Sequence, residues 1–233
     1  MTKGWKSESV RHGLARKGVK TGKKSAPKKF SIAGAKEVTS YISDEGFEFI
    51  HEPIEGTITA ERTKDGYVVK YLTRDLDAQS PEELGDENLL LVHYHTNFDV
   101  RRDEIITEDD ARALYQGEKI PQEKKYWIFP VEAYIHGGVS LTLDTFKGRL
   151  PQGHYEFDVS HSGLVLVSKE EFKSEKKAEK VAEGLVEDWN TYHSGDVYGI
   201  VKETYDKNKN QIDHDATWGY YGQKDAMLEL KNL

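Results

Sequence analysis

Apolar and polar positions alternate through much of the chain. In "GTITAERTKDGYVVKYL" two β-rich runs flank Asp65-Gly66, the residue types a tight turn needs, and this predicts a hairpin. "NLLLVHYH" has period two: Leu89, Leu91, His93 and His95 share one face, and Leu90, Val92 and Tyr94 the other. Both faces begin apolar, which predicts a central strand. "KKYWIFPVEAYIHGGVSLTL" is the most apolar region. Pro130 predicts a break there, followed by a strand over about 131–143 that bends at Gly137-Gly138. Strand character returns over 164–167, then in "DVYGIVKETY" and "ATWGYYG", with the polar stretch "DKNKNQIDHD" expected as the loop between them. Gly199 and Gly219 lie within these aromatic strands and are expected to make room for a neighbouring ring or backbone.

Helical signals interrupt the strands. "SPEELG" predicts a short turn, with Ser80 as cap, Pro81 at the first position and Glu83 closing a capping box. "TEDDARALYQG" predicts a second helix, capped by Thr107, acidic at its positive end and stopped by Gly117. Ser168 and Glu171 form a further capping box, predicting a helix over 169–192. Its stripe is Ala178, Val181, Ala182, Leu185, Val186, Trp189 and Tyr192, spaced by three and four, and Gly195 lies just beyond. A short helix over 35–41 is also allowed. Strands, short helix, strands, long helix and strands follow without regular βα alternation or repeat. The expected fold is α+β: a mostly antiparallel sheet packed by one long helix in the C-terminal half.

Charge divides the chain. Residues 1–36 carry nine Lys, two Arg and one Glu, a net of +10; the whole chain is −8, so residues 37–233 carry −18. An arm so rich in lysine has too little apolar area to offset its ordering entropy and is expected to be disordered. The expected organisation is a basic arm over 1–36 and one α+β domain over 37–233. A β-rich part over 37–100 and a main part over 101–233 are an allowed subdivision. A basic arm suits DNA or RNA, with Arg11, Arg16, Lys17, Lys20, Lys23, Lys24, Lys28 and Lys29 on phosphates, or else an acidic protein surface. The acidic body repels polyanions and attracts basic surfaces. "RDLDAQSPEELGDE" and "RRDEIITEDD" concentrate its carboxylates in the manner of a DNA-mimicking face, although the basic arm argues against simple mimicry.

The chain has no Cys, which excludes disulfides, thiolate metal sites and a thiol nucleophile. No apolar run of membrane-spanning length and no secretory leader is read, so a soluble location is expected. "GLARKGVKTGKK" lacks the order of a phosphate loop, because Lys24 follows Gly22-Lys23. "SHSG", residues 160–163, lacks the elbow of a serine hydrolase. The aromatic set Trp189, Tyr192, Tyr198, Trp218, Tyr220 and Tyr221 reads as core packing rather than a base-stacking platform. "DHD", Asp213 to Asp215, reads as solvated. His93 and His95, on one strand face, are the leading metal candidates, with Asp99 as third ligand and Asp103, His136 or His154 as further donors. The bland reading is a pair of hydrogen-bonded histidines at a strand end. No catalytic residue and no cofactor is assigned.

"YWIFPVEAYIHGGVSLTL", "SGLVLVSKEEF", "YHSGDVYGIVKETYD" and "WGYYG" together resemble an uncharacterised family of small proteins carried by bacteriophages and mobile elements. The matching positions include Tyr134, His136, Gly138, Ser168, Lys169, Tyr192, Gly195, Asp196, Val197, Tyr198, Gly199, Trp218, Gly219, Tyr221 and Gly222. The chain departs from the family wording between Gly148 and Ser160. The resemblance implies a context, the host cytoplasm, and no mechanism. The leading expectation is a non-enzymatic accessory protein that binds nucleic acid or a host or phage protein, with counter-defence as a special case. The alternatives are a virion structural protein and a metal-dependent hydrolase or nuclease using the His93/His95 face.

Overall fold

The computed structural model describes Phe47 and residues 49–233. The basic arm, its eight candidate contact residues and the allowed helix over 35–41 lie outside the described residues. In chain order the elements are β1 (Thr59–Arg62), β2 (Gly66–Arg74), α1 (Pro81–Leu84), β3 (Leu89–His95), β4 (Phe98–Val100), α2 (Glu108–Tyr115), a 3-10 turn (Pro121–Lys124), β5 (Tyr126–Ile135), β6 (Val139–Thr142), α3 (His154–Asp158), β7 (Val159–Ser168), α4 (Glu175–His193), β8 (Val197–Asp206), β9 (Gln211–Tyr221) and α5 (Gln223–Asn232). The fold is mixed α+β, with predominantly antiparallel sheet and several helices. Among the described residues, no helix is long and apolar enough to cross a membrane.

The chain gathers into two compact units. One holds the described residues up to Arg74 with Tyr198–Trp218 and Lys224–Leu233. Its sheet has the order β1-β2-β8-β9. The β1–β2 hairpin forms at the expected place, and the Thr63 N–H donates to the Gly66 carbonyl at 2.9 Å. Phe47, Ile58, Val69, Tyr71, Val201 and Tyr205 make its core. Glu203 is buried among them and accepts from the Tyr71 hydroxyl at 2.8 Å, the Ile50 N–H at 3.0 Å and the Tyr205 hydroxyl. A buried carboxylate is tolerated because donors replace its lost water. Burial and the carboxylate together push both tyrosine hydroxyls well above their ordinary pKa.

The other unit, Asp75–Val197 with Gly219–Gln223, holds a five-stranded sheet of order β4-β3-β7-β5-β6. Here β7 is central, and its run Leu164-Val165-Leu166-Val167 is buried on both faces. One face, with Leu91, Val131, Val165 and Val167, packs on Ala178, Ala182, Leu185 and Trp189 of α4. Fully burying a side chain such as Leu185 or Val186 contributes about 1.5–3 kcal/mol. The opposite face, with Val92, Tyr94, Leu164 and Leu166, meets Ile106, Ala111 and Ile120. Asn190 extends the sheet edge with its side chain: its Oδ1 accepts from the Leu141 N–H at 2.7 Å and its Nδ2 donates to the Leu141 carbonyl at 2.9 Å.

The Ser80–Glu83 capping box of α1 forms as expected, and Thr107 caps α2, where Asp110 closes a box as well. Several expectations are corrected. Pro130 does not break the strand; β5 runs through it. At Pro130 only β7 is paired, since β6 reaches only Glu132–Ile135, so a residue without an N–H can face the open side. The long helix starts at Glu175 rather than 169. The Lys169 N–H donates to the Lys125 carbonyl at 2.8 Å, and the Phe172 N–H to the Ser168 carbonyl at 2.9 Å, so this segment extends the β5–β7 ladder and turns before the helix begins. The polar loop between the last two strands is short, 207–210, and Asp213 to Asp215 lie within β9 on exposed positions. Gly199 makes room for a ring as expected: a Cβ there would lie 2.3 Å from the Trp218 ring. Gly219 does not. It has open space and a φ of +84°, so backbone conformation requires it.

Candidate functional site

The expected metal candidates occupy the second unit but do not converge as a ligand set. His93 is fully buried in β3, under Phe98 and opposite Gly163. Its Nδ1 lies 2.8 Å from the Phe98 carbonyl, so that nitrogen carries the proton. Its Nε2 is buried with no hydrogen-bond partner. Burial lowers its pKa to about 4, with the nearby His95 adding to the effect and the Phe98 carbonyl and Asp99 opposing it. His95 is half-buried with its ring centroid 6.4 Å from that of His93. Asp99 accepts from Arg101 Nε at 2.9 Å, within a surface network that includes Asp103 and Glu108.

A different cluster forms at the β5–β6 end of the same sheet. Glu132 and Tyr134 are alternate residues of β5 and share a face. His136 follows in the turn, which Gly137 closes with a φ of +71°. His154 and Asp158 stand four apart on α3, one above the other on one side of that helix. Asp158 Oδ2 lies 3.2 Å from His136 Nδ1 and 2.9 Å from His154 Nδ1. The Tyr134 hydroxyl lies 3.0 Å from the same His154 nitrogen, and the Tyr134 ring stacks on His136 at 5.9 Å. Among the described residues this is the group of three side chains whose donor atoms, all within 4.8 Å of one another, could hold a metal ion.

Glu132 organises the surroundings. Its carboxylate accepts from the Phe146 N–H at 2.6 Å, the Thr145 hydroxyl at 2.9 Å and the Tyr155 hydroxyl at 3.0 Å, and His161 Nδ1 lies 3.6 Å away. A register shift between Val131 and Ala133 sets this geometry, because a bulge re-aims the side chains beside it. The Tyr115 hydroxyl lies 2.9 Å from the Val131 carbonyl and 2.7 Å from that of Gly163, at the same irregularity. Ser160 and Ser162 pair with each other at 2.7 Å rather than with His161.

The acidic segments also come together. Arg102 bridges to Glu82 at 2.7 Å, joining "RRDEIITEDD" to "RDLDAQSPEELGDE". Around that pair lies a cavity of about 420 Å³ lined by Glu82, Asp86, Glu87, Glu104, Leu90 and Tyr126, among others. Glu87, Asp103, Glu104 and Asp109 are exposed nearby in these segments. Of the aromatic set, Trp189 and Tyr198 are buried in their respective units, whereas Trp218 is 38 % exposed.

Comparison of the chain with known protein families, with curated proteins and with solved structures gives no match. None of these comparisons supports the phage-family resemblance read from the sequence patterns. Of the positions that carry it, Tyr134 and His136 belong to the β5–β6 cluster.

Proposed function

We propose that the protein is a non-enzymatic accessory protein that acts by binding a macromolecular partner, and that its acidic body engages a basic protein surface. The observation that carries this reading is the meeting of the two acidic segments across the Arg102–Glu82 pair. Fields add, so carboxylates drawn together in these two segments attract a basic partner more strongly than the same charges dispersed along a body carrying −18. Such attraction acts mainly on association rate and specificity. The arm, with its net +10, supplies a second and opposite contact, either to nucleic acid or to an acidic surface.

The test starts with capture of partners by the full chain in cells of its host, followed by binding kinetics of the purified pair. Glu87→Lys, Glu104→Lys and Asp109→Lys together should slow association by about tenfold or more and reduce its salt dependence. Deletion of residues 1–36 should leave that binding intact while abolishing any shift of DNA or RNA. If the triple variant binds as the parent does, the acidic face is not the docking surface. Loss of protein binding on deletion of the arm would transfer the role to the arm.

A further inference from the structure

The geometry points to a divalent transition-metal site built by His136, His154 and Asp158. Two imidazoles and one carboxylate form a donor set that suits zinc and its neighbours in the first row. A tetrahedron with bonds of about 2.0–2.1 Å has edges of roughly 3.3 Å. The carboxylate-to-imidazole separations of 3.2 and 2.9 Å are close to that value.

The hydrogen bonding within the cluster is over-subscribed. Asp158 Oδ2 can accept from both imidazole nitrogens, but His154 Nδ1 faces both that oxygen and the Tyr134 hydroxyl. A ring nitrogen has one proton to give or one lone pair to receive, so it cannot satisfy both neighbours fully. An ion accepting both Nδ1 lone pairs and the carboxylate resolves the conflict. It also frees the Tyr134 hydroxyl to bond to whatever fills the fourth position.

The scaffold is set on both sides. His136 is fixed by the Gly137 turn, where its N–H donates to the Gly138 carbonyl at 3.1 Å. His154 and Asp158 are fixed by α3, which Glu132 tethers through Tyr155. His136 is 57 % exposed in its side chain, against 29 % and 25 % for the other two, so an ion has a path from solvent. Three protein ligands leave one position for water or for a donor atom of a bound partner. The site shares no ligand with the expected His93/His95/Asp99 set, although it uses His136 and His154, which the sequence had offered as further donors.

The experiment uses the full chain without a polyhistidine tag, freed of metal by chelator. Zn²⁺ is titrated by calorimetry, Co²⁺ by its visible ligand-field bands, and Mg²⁺ serves as the hard-cation control. One equivalent of Zn²⁺ or Co²⁺ should bind, with cobalt bands of a four- or five-coordinate N/O site and no comparable uptake of Mg²⁺. His136→Gln, His154→Gln and Asp158→Asn should each weaken binding by more than the roughly 10–100-fold that a supporting residue is worth. His95→Gln should leave it unchanged. His136 lies in an exposed turn, so His136→Gln reports on ligation even where a substitution on α3 disturbs folding. Failure of the parent to bind Zn²⁺ or Co²⁺, equal uptake of Mg²⁺, or undiminished binding by His136→Gln would each overturn the assignment.

Discussion

Lowering the pH should destabilise the unit that contains His93, and replacing His93 should remove that sensitivity. In the folded protein this imidazole is enclosed, and its pKa falls from the ordinary 6.5 to about 4, chiefly through burial. In the unfolded chain it titrates near 6.5. Between these values the unfolded state binds a proton that the folded state does not, so stability rises with pH across the window. Stability from this residue is complete above about 6.5 and is lost as pH falls towards 4. One pKa unit corresponds to about 1.4 kcal/mol, so the loss is about 2 kcal/mol by pH 5 and about 3 kcal/mol by pH 4. His93→Leu fills the space but leaves the Phe98 carbonyl without its donor, at a cost of about 1–3 kcal/mol that does not vary with pH. Urea denaturation of parent and variant at pH 7.5, 6.0 and 5.0, followed by the tryptophans of this unit, should show the gap closing as pH falls. Carboxylates titrate in both proteins and cancel in the difference. A constant gap, or a His93 side-chain titration by NMR centred near 6.5, would show that burial does not suppress protonation of His93.

Two further perturbations test the packing of the other unit. Glu203→Leu leaves the hydroxyls of Tyr71 and Tyr205 and the Ile50 N–H without their acceptor. It should cost about 2–4 kcal/mol in chemical denaturation, given about 1–3 kcal/mol for each group that finds no new partner; a loss under 0.5 kcal/mol would show that the site rearranges or admits water. Gly199→Ala drives a methyl into the Trp218 ring, at 2.3 Å in the present geometry. It should destabilise by about 1–3 kcal/mol and shift the Trp218 emission, whereas Gly138→Ala, with nothing within 4 Å, should be nearly neutral.

What the sequence disclosed, and what it hid, follows from the range of the interactions involved. The hairpin at Asp65-Gly66, the α1 and α2 caps and the stripe from Ala178 to Trp189 were legible because each is decided within a few residues. The start of α4 was misread because Ser168 and Glu171 mimic a cap, while the outcome is settled by Lys125, more than forty residues away, taking the Lys169 N–H. Asp213 to Asp215 read as loop because polarity marks exposure, and an exposed strand is as polar as a turn. The His-x-His pair advertised itself through strand periodicity, yet periodicity says only that two side chains share a face. It does not say whether that face is open, and His93 is shut beneath Phe98. The β5–β6 cluster had the opposite problem. Its ligands come from a glycine turn and from α3, a five-residue helix with no side-chain cap and no apolar stripe to announce it. His136 and His154 stood out only as optional further donors to the His93/His95 pair, Asp158 did not stand out at all, and nothing local links the two segments. The link is the pairing of β5 with β7, which carries Tyr134 opposite Val159, one residue beyond Asp158. Long-range register therefore converts two unremarkable local signals into one group of converging donors, and a candidate site in such a fold is better sought at the ends of paired strands than in a sequence motif.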